Sequence, residues 1–373
     1  MSVLDDTLPV MRPALKAGLL PVWRDRETVQ IGIDPRRAVA LTGMSQAAPV
    51  LGLLDGSRDR DQVIAAACEQ GIPEPVTAQI LTLLAAGGAL DDFPAAAIRA
   101  LPQDRRRRLA AELAAASLAR GHSDAGAAAL VRRDAARVQI YGSGRVAATI
   151  ADILGTSGIG RVATSDTVRT APLGAGPAAA PGTGRRAASR PSPAVSTGTA
   201  AASRARRPPE PGAGRAAGRD RRGRDSQRPL PDLAVLIGYQ SLELAARLMR
   251  AGVSHLAVAA AEAIGVVGPL VRPGQTACLR CLDLTRASLD PAWPLILAQL
   301  VGRAADPPAC DAALAAAVAA QAAAQALTFI DRAPSAGPTE NGTLELVLPA
   351  WQWRRRTWPA HSSCGCGCQP ARS

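Results

Sequence analysis

The sequence predicts an α/β protein with a small N-terminal module, a helical connector and a larger domain that carries a metal site. Three observations support this class: short β-favouring runs followed by helical patterns, a glycine-rich turn between a strand and a helix, and two distant cysteine clusters. The chain has 373 residues, which is enough for two hydrophobic cores, and its apolar content of 47% is typical of globular proteins. The predicted boundaries are residues 1–92, 93–136 and 137–373.

The net charge of +12 is concentrated in one stretch of the chain. Residues 174–229 contain 12 arginines and three acidic residues, so they carry nine of the excess positive charges. Residues 170–229 are almost entirely Ala, Pro, Gly, Arg, Ser and Thr, which predicts a disordered low-complexity segment. This segment is either a true linker or a GC-rich gene segment read out of frame. Because a basic linker is not a basic groove, we do not expect a nucleic-acid partner.

The sequence shows no segment with the pattern of a targeting signal or of an uninterrupted membrane span. No uninterrupted apolar run is long enough to span a bilayer, and the N-terminus lacks a signal-peptide core. We therefore expect a cytoplasmic protein without a membrane contact. Five of the seven cysteines form two tight clusters, which in that compartment indicates metal ligands rather than disulfides.

The sequence pattern of residues 1–92 predicts a small module in which strands precede helices. β-Favouring runs bounded by turn residues lie at 19–24, 28–33 and 38–42. Helical patterns bounded by capping residues and glycines follow at 47–54, 60–69 and 76–86. Short strands followed by three short helices are typical of a winged helix. A helical connector follows, with its main pattern at 94–121.

A strand beginning at Arg137 runs into Gly142-x-Gly144-x-x-Ala147 and then into an amphipathic helix, a second strand and Asp166. In dinucleotide-binding folds such glycines let phosphates approach the helix N-terminus, and the acidic residue binds ribose hydroxyls. Gly142, Gly144 and Asp166 are therefore candidate nucleotide-binding residues. The alternative is a plain strand–helix–strand unit whose glycines serve packing alone.

The rest of the larger domain alternates strands and helices. A continuous apolar run at 232–237 predicts a strand buried on both faces, as in a parallel sheet. The following elements are predicted as helix 242–250, strand 254–259, apolar run 264–271, Ala-rich helix 310–331 and alternating strand 343–348.

The two cysteine clusters predict a structural zinc site. Cys278 and Cys281 are three positions apart, and Cys364, Cys366 and Cys368 lie near the end of the chain. Two closely spaced thiolates suit two corners of a tetrahedron, and a distant second pair closes it. A closed four-thiolate site has no open position for catalysis, and no catalytic residue is predicted elsewhere.

The stretch LLDGSRDRDQVIAAACEQGI with ILTLLAAGGALDD resembles the PqqD-like peptide-recognition module of peptide-modifying enzymes. The resemblance implies that the module captures the leader of a ribosomal precursor peptide as an added strand at a sheet edge. A DNA-reading or purely structural winged helix is the alternative.

The glycine turn with Asp166, the strand–helix–strand pattern at 232–260 and the cysteine pairs together resemble the ThiF/E1 superfamily of adenylating proteins. The stretch VVGPLVRPGQTACLRCLDLTRASLDPAWP and the terminal HSSCGC resemble one branch, the actinobacterial partner proteins of azole-forming YcaO-type cyclodehydratases. The family pattern ends H-x-x-C-G-C, which implies Cys278, Cys281, Cys364 and Cys366 as zinc ligands, with Cys368 able to replace either of the last two. By analogy, a homodimer is also expected.

The chain departs from that family where an active enzyme holds ATP. The family places a Lys and an Arg on the phosphates and an Asp after the next strand on Mg²⁺, whereas Lys16 is the only lysine here. Strand 232–237 runs instead into Gly-Tyr-Gln-Ser. We therefore expect a non-catalytic scaffold that binds a leader peptide and presents it to a cyclodehydratase for azoline formation. The alternatives are an ATP-dependent adenylyltransferase and a DNA-binding regulator.

Overall fold

The computed structural model describes residues 12–92, 96–165, 229–239, 242–301, 310–332 and 337–368. Asp166 and residues 170–228 of the low-complexity segment lie outside the described residues.

The N-terminal part folds into two small antiparallel sheets and three helices. Strands β2, β3 and β4 pair in that order, and β1 pairs with β5. The elements are β1 (Pro13–Leu15), β2 (Pro21–Trp23), β3 (Val29–Ile31), β4 (Val39–Leu41), α1 (Pro49–Gly52), α2 (Arg60–Glu69), α3 (Glu74–Ala86) and β5 (Leu90–Asp92). The predicted strands and helices are all present, whereas the β1–β5 pair was not predicted. The assignment to the winged-helix class stays a prediction.

The module has its own core, which lies between β3, β4 and the helices. Val29, Ile31 and Leu41 of the sheet pack with Val63 of α2 and Leu84 of α3. Alternate residues of β3 are buried because successive side chains of a strand point to opposite faces. This hydrophobic cluster is distinct from the one that packs against the larger sheet.

Hydrogen bonds from the buried Lys16 join the module to the connector, which consists of α4 (Ala96–Arg99), α5 (Gln103–Arg120) and α6 (Ala127–Ala135). Lys16 Nζ lies 2.9 Å from Asp91 Oδ1 and donates a hydrogen bond to Ser117 Oγ at 2.6 Å. It also donates to the carbonyl oxygen of His122. Because Lys16 is only 2% exposed, these partners are what make its burial tolerable.

The larger domain contains a seven-stranded mixed sheet in the order β12-β11-β10-β9-β8-β6-β7. Strands β7, β6, β8 and β9 are parallel, and β10, β11 and β12 continue the sheet as antiparallel strands. The elements are β6 (Arg137–Tyr141), α7 (Arg145–Thr156), β7 (Arg161–Ser165), β8 (Leu233–Ile237), α8 (Leu242–Arg250), β9 (Ser254–Ala261), β10 (Ile264–Val271), α9 (Leu279–Leu289), α10 (Trp293–Leu300), α11 (Ala312–Ile330), β11 (Gly342–Val347) and β12 (Gln352–Thr357).

Helices cover both faces of the parallel half. On one face, α7 and α11 pack against the sheet in the largest hydrophobic cluster of the described residues, which includes Ile150, Leu256 and Val318. On the other face, α8 packs against Ala234 and Leu236 of β8. Strand β8 is therefore buried on both sides, as its continuous apolar run predicts.

Helix α11 is the one described helix that is long and apolar enough to cross a membrane by length and composition. Half of its apolar window is buried within the protein. Its buried residues include Leu314, Val318 and Ile330, which contact the central sheet and α7 in the main cluster. Its apolar composition is thus accounted for by a place in the core.

Two glycines offer a matched test of the close contact between α6 and the residue before β7. An alanine Cβ at Gly160 would lie 1.8 Å from the carbonyl oxygen of Asp134, so the backbone must move. A Cβ at Gly155, in α7, would meet nothing within 4 Å. We expect Gly160→Ala to lower the free energy of unfolding by about 2 kcal/mol or more. Gly155→Ala should raise it by up to about 1 kcal/mol. Urea denaturation followed by circular dichroism measures both, and equal effects would contradict the packing described.

Candidate functional site

The cysteine cluster forms where the start of α9 meets the end of the described chain. Cys278 is the N-cap residue of α9, and Cys281 lies in the first turn of that helix. After β12 the chain turns back, and the N–H of Cys364 donates to the carbonyl oxygen of His361. Gly365 and Gly367 have φ values of +66° and +76°, which let the tail fold tightly around the other cysteines.

The four predicted zinc ligands converge. The Sγ atoms of Cys278, Cys281, Cys364 and Cys366 all lie within 4.8 Å of one another. Sγ of Cys278 is 3.8 Å from that of Cys281 and 3.4 Å from that of Cys364, and Sγ of Cys281 is 3.6 Å from that of Cys366. Tetrahedral zinc with Zn–S bonds of about 2.3 Å separates its sulfurs by about 3.8 Å. The donor set and its spacing therefore fit a structural zinc ion.

Burial opposes ionisation most clearly at two of the four thiols, Cys278 and Cys364. Burial raises the pKa of Cys278 to about 11 and raises the pKa of Cys364 well above its usual value. Burial acts in the same direction on Cys366, but hydrogen bonds from the Cys368 N–H and from neighbouring thiols lower its pKa to about 7. A divalent cation would stabilise the thiolate forms and displace their protons.

Cys368, the spare cysteine of the prediction, lies outside this group of four. Its Sγ is 2.6 Å from the carbonyl oxygen of Thr276, to which it donates a hydrogen bond. Among the described residues, the cluster of close ligand atoms consists of Cys278, Cys281, Cys364 and Cys366, with no fifth ligand. Cys68 and Cys310 lie elsewhere, on α2 and just before α11.

Neighbouring side chains hold the cluster in place. The N–H of Ala277 donates to Asn341 Oδ1 at 2.7 Å, which ties the first cysteine pair to the loop before β11. Trp358 is 2% exposed, and its Nε1 donates to Thr343 Oγ1 at 3.0 Å. The Arg356 guanidinium lies 4.4 Å from the centre of the Trp358 ring. These contacts fix the chain between β12 and the second cysteine pair.

The glycine turn lies at the point where the connections of the parallel strands diverge. Gly142 has φ +114°, and a Cβ there would lie 2.8 Å from Ile237 Cβ at the end of β8. Gly144 has φ +89°, precedes the first turn of α7, and has open space where a Cβ would be. This is the position at which open α/β sheets bind ligands, at the carboxyl ends of the strands. Asp166, the third predicted nucleotide ligand, lies outside the described residues.

The surroundings of the turn differ from those of an ATP site with a metal-binding carboxylate. Strand β8 continues into Gly238 and Tyr239, and no carboxylate follows until the exposed Glu243 on α8. Two cations that the sequence reasoning missed act near the turn. Burial raises the pKa of Cys310, and the nearby Asp311 adds to this rise, whereas Arg145 opposes it. Burial likewise raises the pKa of Tyr141, and Arg247 opposes that rise. Arg145 directly follows Gly144, so the sequence of the glycine motif already indicated a cation beside the turn.

Comparison with known proteins shows the fold. No protein-family model and no curated protein matches the chain. A heterocyclase in complex with substrate and cofactor superposes with a TM-score of 0.58 at 15% identity, covering 95% of this chain and 39% of that chain. The heterocyclase TruD gives a TM-score of 0.57 at 14% identity, covering 96% and 43%. Escherichia coli MccB with MccA-N7isoASN gives 0.56 at 15% identity, covering 96% and 100%.

The chain thus spans less than half of the two heterocyclases and the full length of MccB. At such low identity the likeness shows architecture alone. It shows an α/β fold with a large mixed sheet, similar to that of the two heterocyclases and MccB.

Removal of single cysteines tests the metal centre. We expect Cys281→Ser to weaken zinc binding by more than about 100-fold, beyond the usual effect of losing a residue that merely supports a ligand. Cys368→Ser should leave zinc content unchanged, since that thiol bonds to a backbone carbonyl. Elemental analysis and competition with a zinc chelator measure both. Zinc retained in Cys281→Ser, or lost in Cys368→Ser, would refute this ligand set.

Proposed function

We propose that this protein binds the leader of a ribosomal precursor peptide through its N-terminal module and presents it, as a non-catalytic partner, to a YcaO-type cyclodehydratase. The observation that carries the proposal is an open strand edge in the module, lined by an apolar helix face. The domain boundaries at residues 92 and 136 belong to the same proposal.

The open edge belongs to β4. It is an outer strand of the three-stranded sheet, and no described strand pairs with its far side. Helix α3 approaches this strand closely, because a Cβ at Gly87 would lie 2.3 Å from Val39 Cγ2. An extended peptide laid against β4 would add a strand through backbone hydrogen bonds and contact α3 with its side chains.

Helix α3 offers apolar surface beside that edge. Val76, Ile80 and Leu83 lie on the helix face that ends at Gly87, because they are spaced at three, four and seven residues. Val76 is 36% exposed and Leu83 is 45% exposed, whereas Ile80 is buried. A bound strand would direct every second side chain toward the helix, where the exposed Val76 and Leu83 could contact them. The opposite edge, β2, begins with a proline, which has no N–H to donate.

The comparisons support a peptide as the ligand. MccB is described in complexes with MccA, and a heterocyclase is described with its substrate. The non-catalytic role rests on this chain's own residues: its only lysine is buried in the N-terminal part, and β8 ends without a carboxylate. The cyclodehydratase as partner, and the zinc ion at the cysteine cluster, are drawn from the family resemblance and the sulfur geometry.

Adenylation is the second candidate, and one observation favours it. The glycine turn lies at the switch point of the sheet, Gly144 has open space around it, and Arg145 adds a cation next to it. Backbone N–H groups at a helix N-terminus can hold phosphates without any lysine. A nucleotide bound there would not by itself make the chain an enzyme.

Matched substitutions on the two edges test peptide capture. We expect Val76→Asp to weaken binding of a fluorescently labelled candidate leader peptide by about tenfold or more, because a charge would enter the apolar contact. Val22→Asp on β2 is the control, since Val22 is 39% exposed and Val76 is 36% exposed. Fluorescence anisotropy measures the dissociation constants. Equal weakening by both variants, or binding that neither affects, contradicts the proposed edge.

Pyrophosphate exchange separates the scaffold from the enzyme. We expect the purified chain, with ATP, Mg²⁺ and the precursor peptide, to incorporate no labelled pyrophosphate into ATP, because charge on the phosphates lacks positioned counter-charges. Exchange above the level without peptide would establish adenylation. Arg145→Glu then serves as the control, since it reverses the charge directly after the glycine turn and should abolish that exchange.

A further inference from the structure

A cavity of about 860 Å³ lies on the α8 side of the sheet, apart from both the β4 edge and the glycine turn. Helices α8, α9 and α10 form its walls, and three cysteines of the metal centre line one part of it. The wall is mainly apolar, through Met249, Leu279, Leu284, Trp293, Leu297 and Val301. Its volume falls within the range of about 300–1,000 Å³ that is usual for small-molecule sites.

His255 also lies in the wall of this cavity. It is the second residue of β9, is fully buried, and lies between Ala234 of β8 and Val271 of β10. Its Nδ1 is 3.0 Å from the carbonyl oxygen of Val253. Its Nε2 is buried and has no hydrogen-bond partner among the described residues.

The bond to Val253 determines which ring nitrogen carries the proton. A carbonyl oxygen only accepts hydrogen bonds, so Nδ1 carries the proton. Burial lowers the pKa of His255, against the smaller opposing effect of the Val253 bond, so the ring is neutral near pH 7. Nε2 is then an acceptor without a donor, which is unusual for a buried polar atom.

The other polar groups of the cavity do not supply that donor. Trp293 Nε1 donates to Asp283 Oδ1 at 3.1 Å, so the indole N–H is already bonded. Arg250 and Arg280 are exposed, which places their charges on the solvent side. The inner wall therefore combines apolar surface with an acceptor that needs a donor.

We propose that this cavity binds a small aromatic molecule with a single N–H or O–H donor, of the indole or phenol class, whose donor bonds to His255 Nε2. Such molecules have an apolar body and one polar group, and their rings pack favourably on tryptophan and methionine side chains. The site is additional to peptide capture and does not depend on it.

Two nearly isosteric probes test the proposal on the full chain. Indole has an N–H donor and indene has none. We expect isothermal titration calorimetry to show indole binding about tenfold more tightly than indene. His255→Leu should remove that preference while both probes still bind, because it removes the acceptor and keeps the apolar wall.

A filling variant tests the location. Ala246 is an exposed residue of α8 in the cavity wall, so Ala246→Phe should abolish binding of both probes. Ala110→Phe, at an exposed position on α5, is the matched control and should leave both affinities unchanged. Absence of indole binding, equal affinities for the two probes, or binding that survives in Ala246→Phe would overturn the proposal. If His255→Leu does not fold, the probe pair and the filling variant still decide it.

Discussion

The convergence of four thiols within 4.8 Å is the constraint on which the C-terminal half of the structure depends. Burial raises the pKa of Cys278 and Cys364, and a bound cation would favour the thiolate forms of these side chains. The convergence couples the loop after β10 to a segment more than 80 residues later. The hairpin β11–β12 brings the tail back to the cluster by pairing antiparallel to β10. Helix α9, which begins after Cys278 and contains Cys281, also forms part of the wall of the large cavity.

The mixed sheet keeps the different sites apart. Its parallel half places the glycine turn at the carboxyl ends of β6 and β8, as expected where connections leave in opposite directions. Its antiparallel half leads to the cysteines, and the cavity lies between α8 and the helices that follow Cys278. The strand edge proposed for peptide binding belongs to a separate small sheet with its own core. The strand edge and the glycine turn therefore lie apart from the cysteine cluster, whereas the cavity shares Cys278, Cys364 and Cys366 with that cluster.

Much of this arrangement could be predicted from the sequence, for identifiable reasons. The buried run at β8 and the Ala-rich α11 carry strong periodic signals, and the cysteine spacing restricts which residues can share an ion. Strands β1 (PAL) and β5 (LDD) are poor in β-favouring residues, so they were not predicted, unlike β2, β3 and β4 of the same length. Helices α9 and α10 and the arginine-rich β12 were missed because their apolar patterns are weak or one-sided. The unpaired Nε2 of His255 follows from tertiary packing, so no local pattern could reveal it.

Lys16 has a chemical consequence beyond its part in joining β1 to α5. It is the chain's only lysine, and the side chains around it shield its amine from solvent. The remaining cationic side chains are arginines and histidines; guanidinium groups stay protonated and are poor nucleophiles. A reactive acyl group generated nearby would thus meet no accessible lysine on which to form a stray amide. The one primary amine that the side chains of this protein offer is therefore withheld from activated carboxylates.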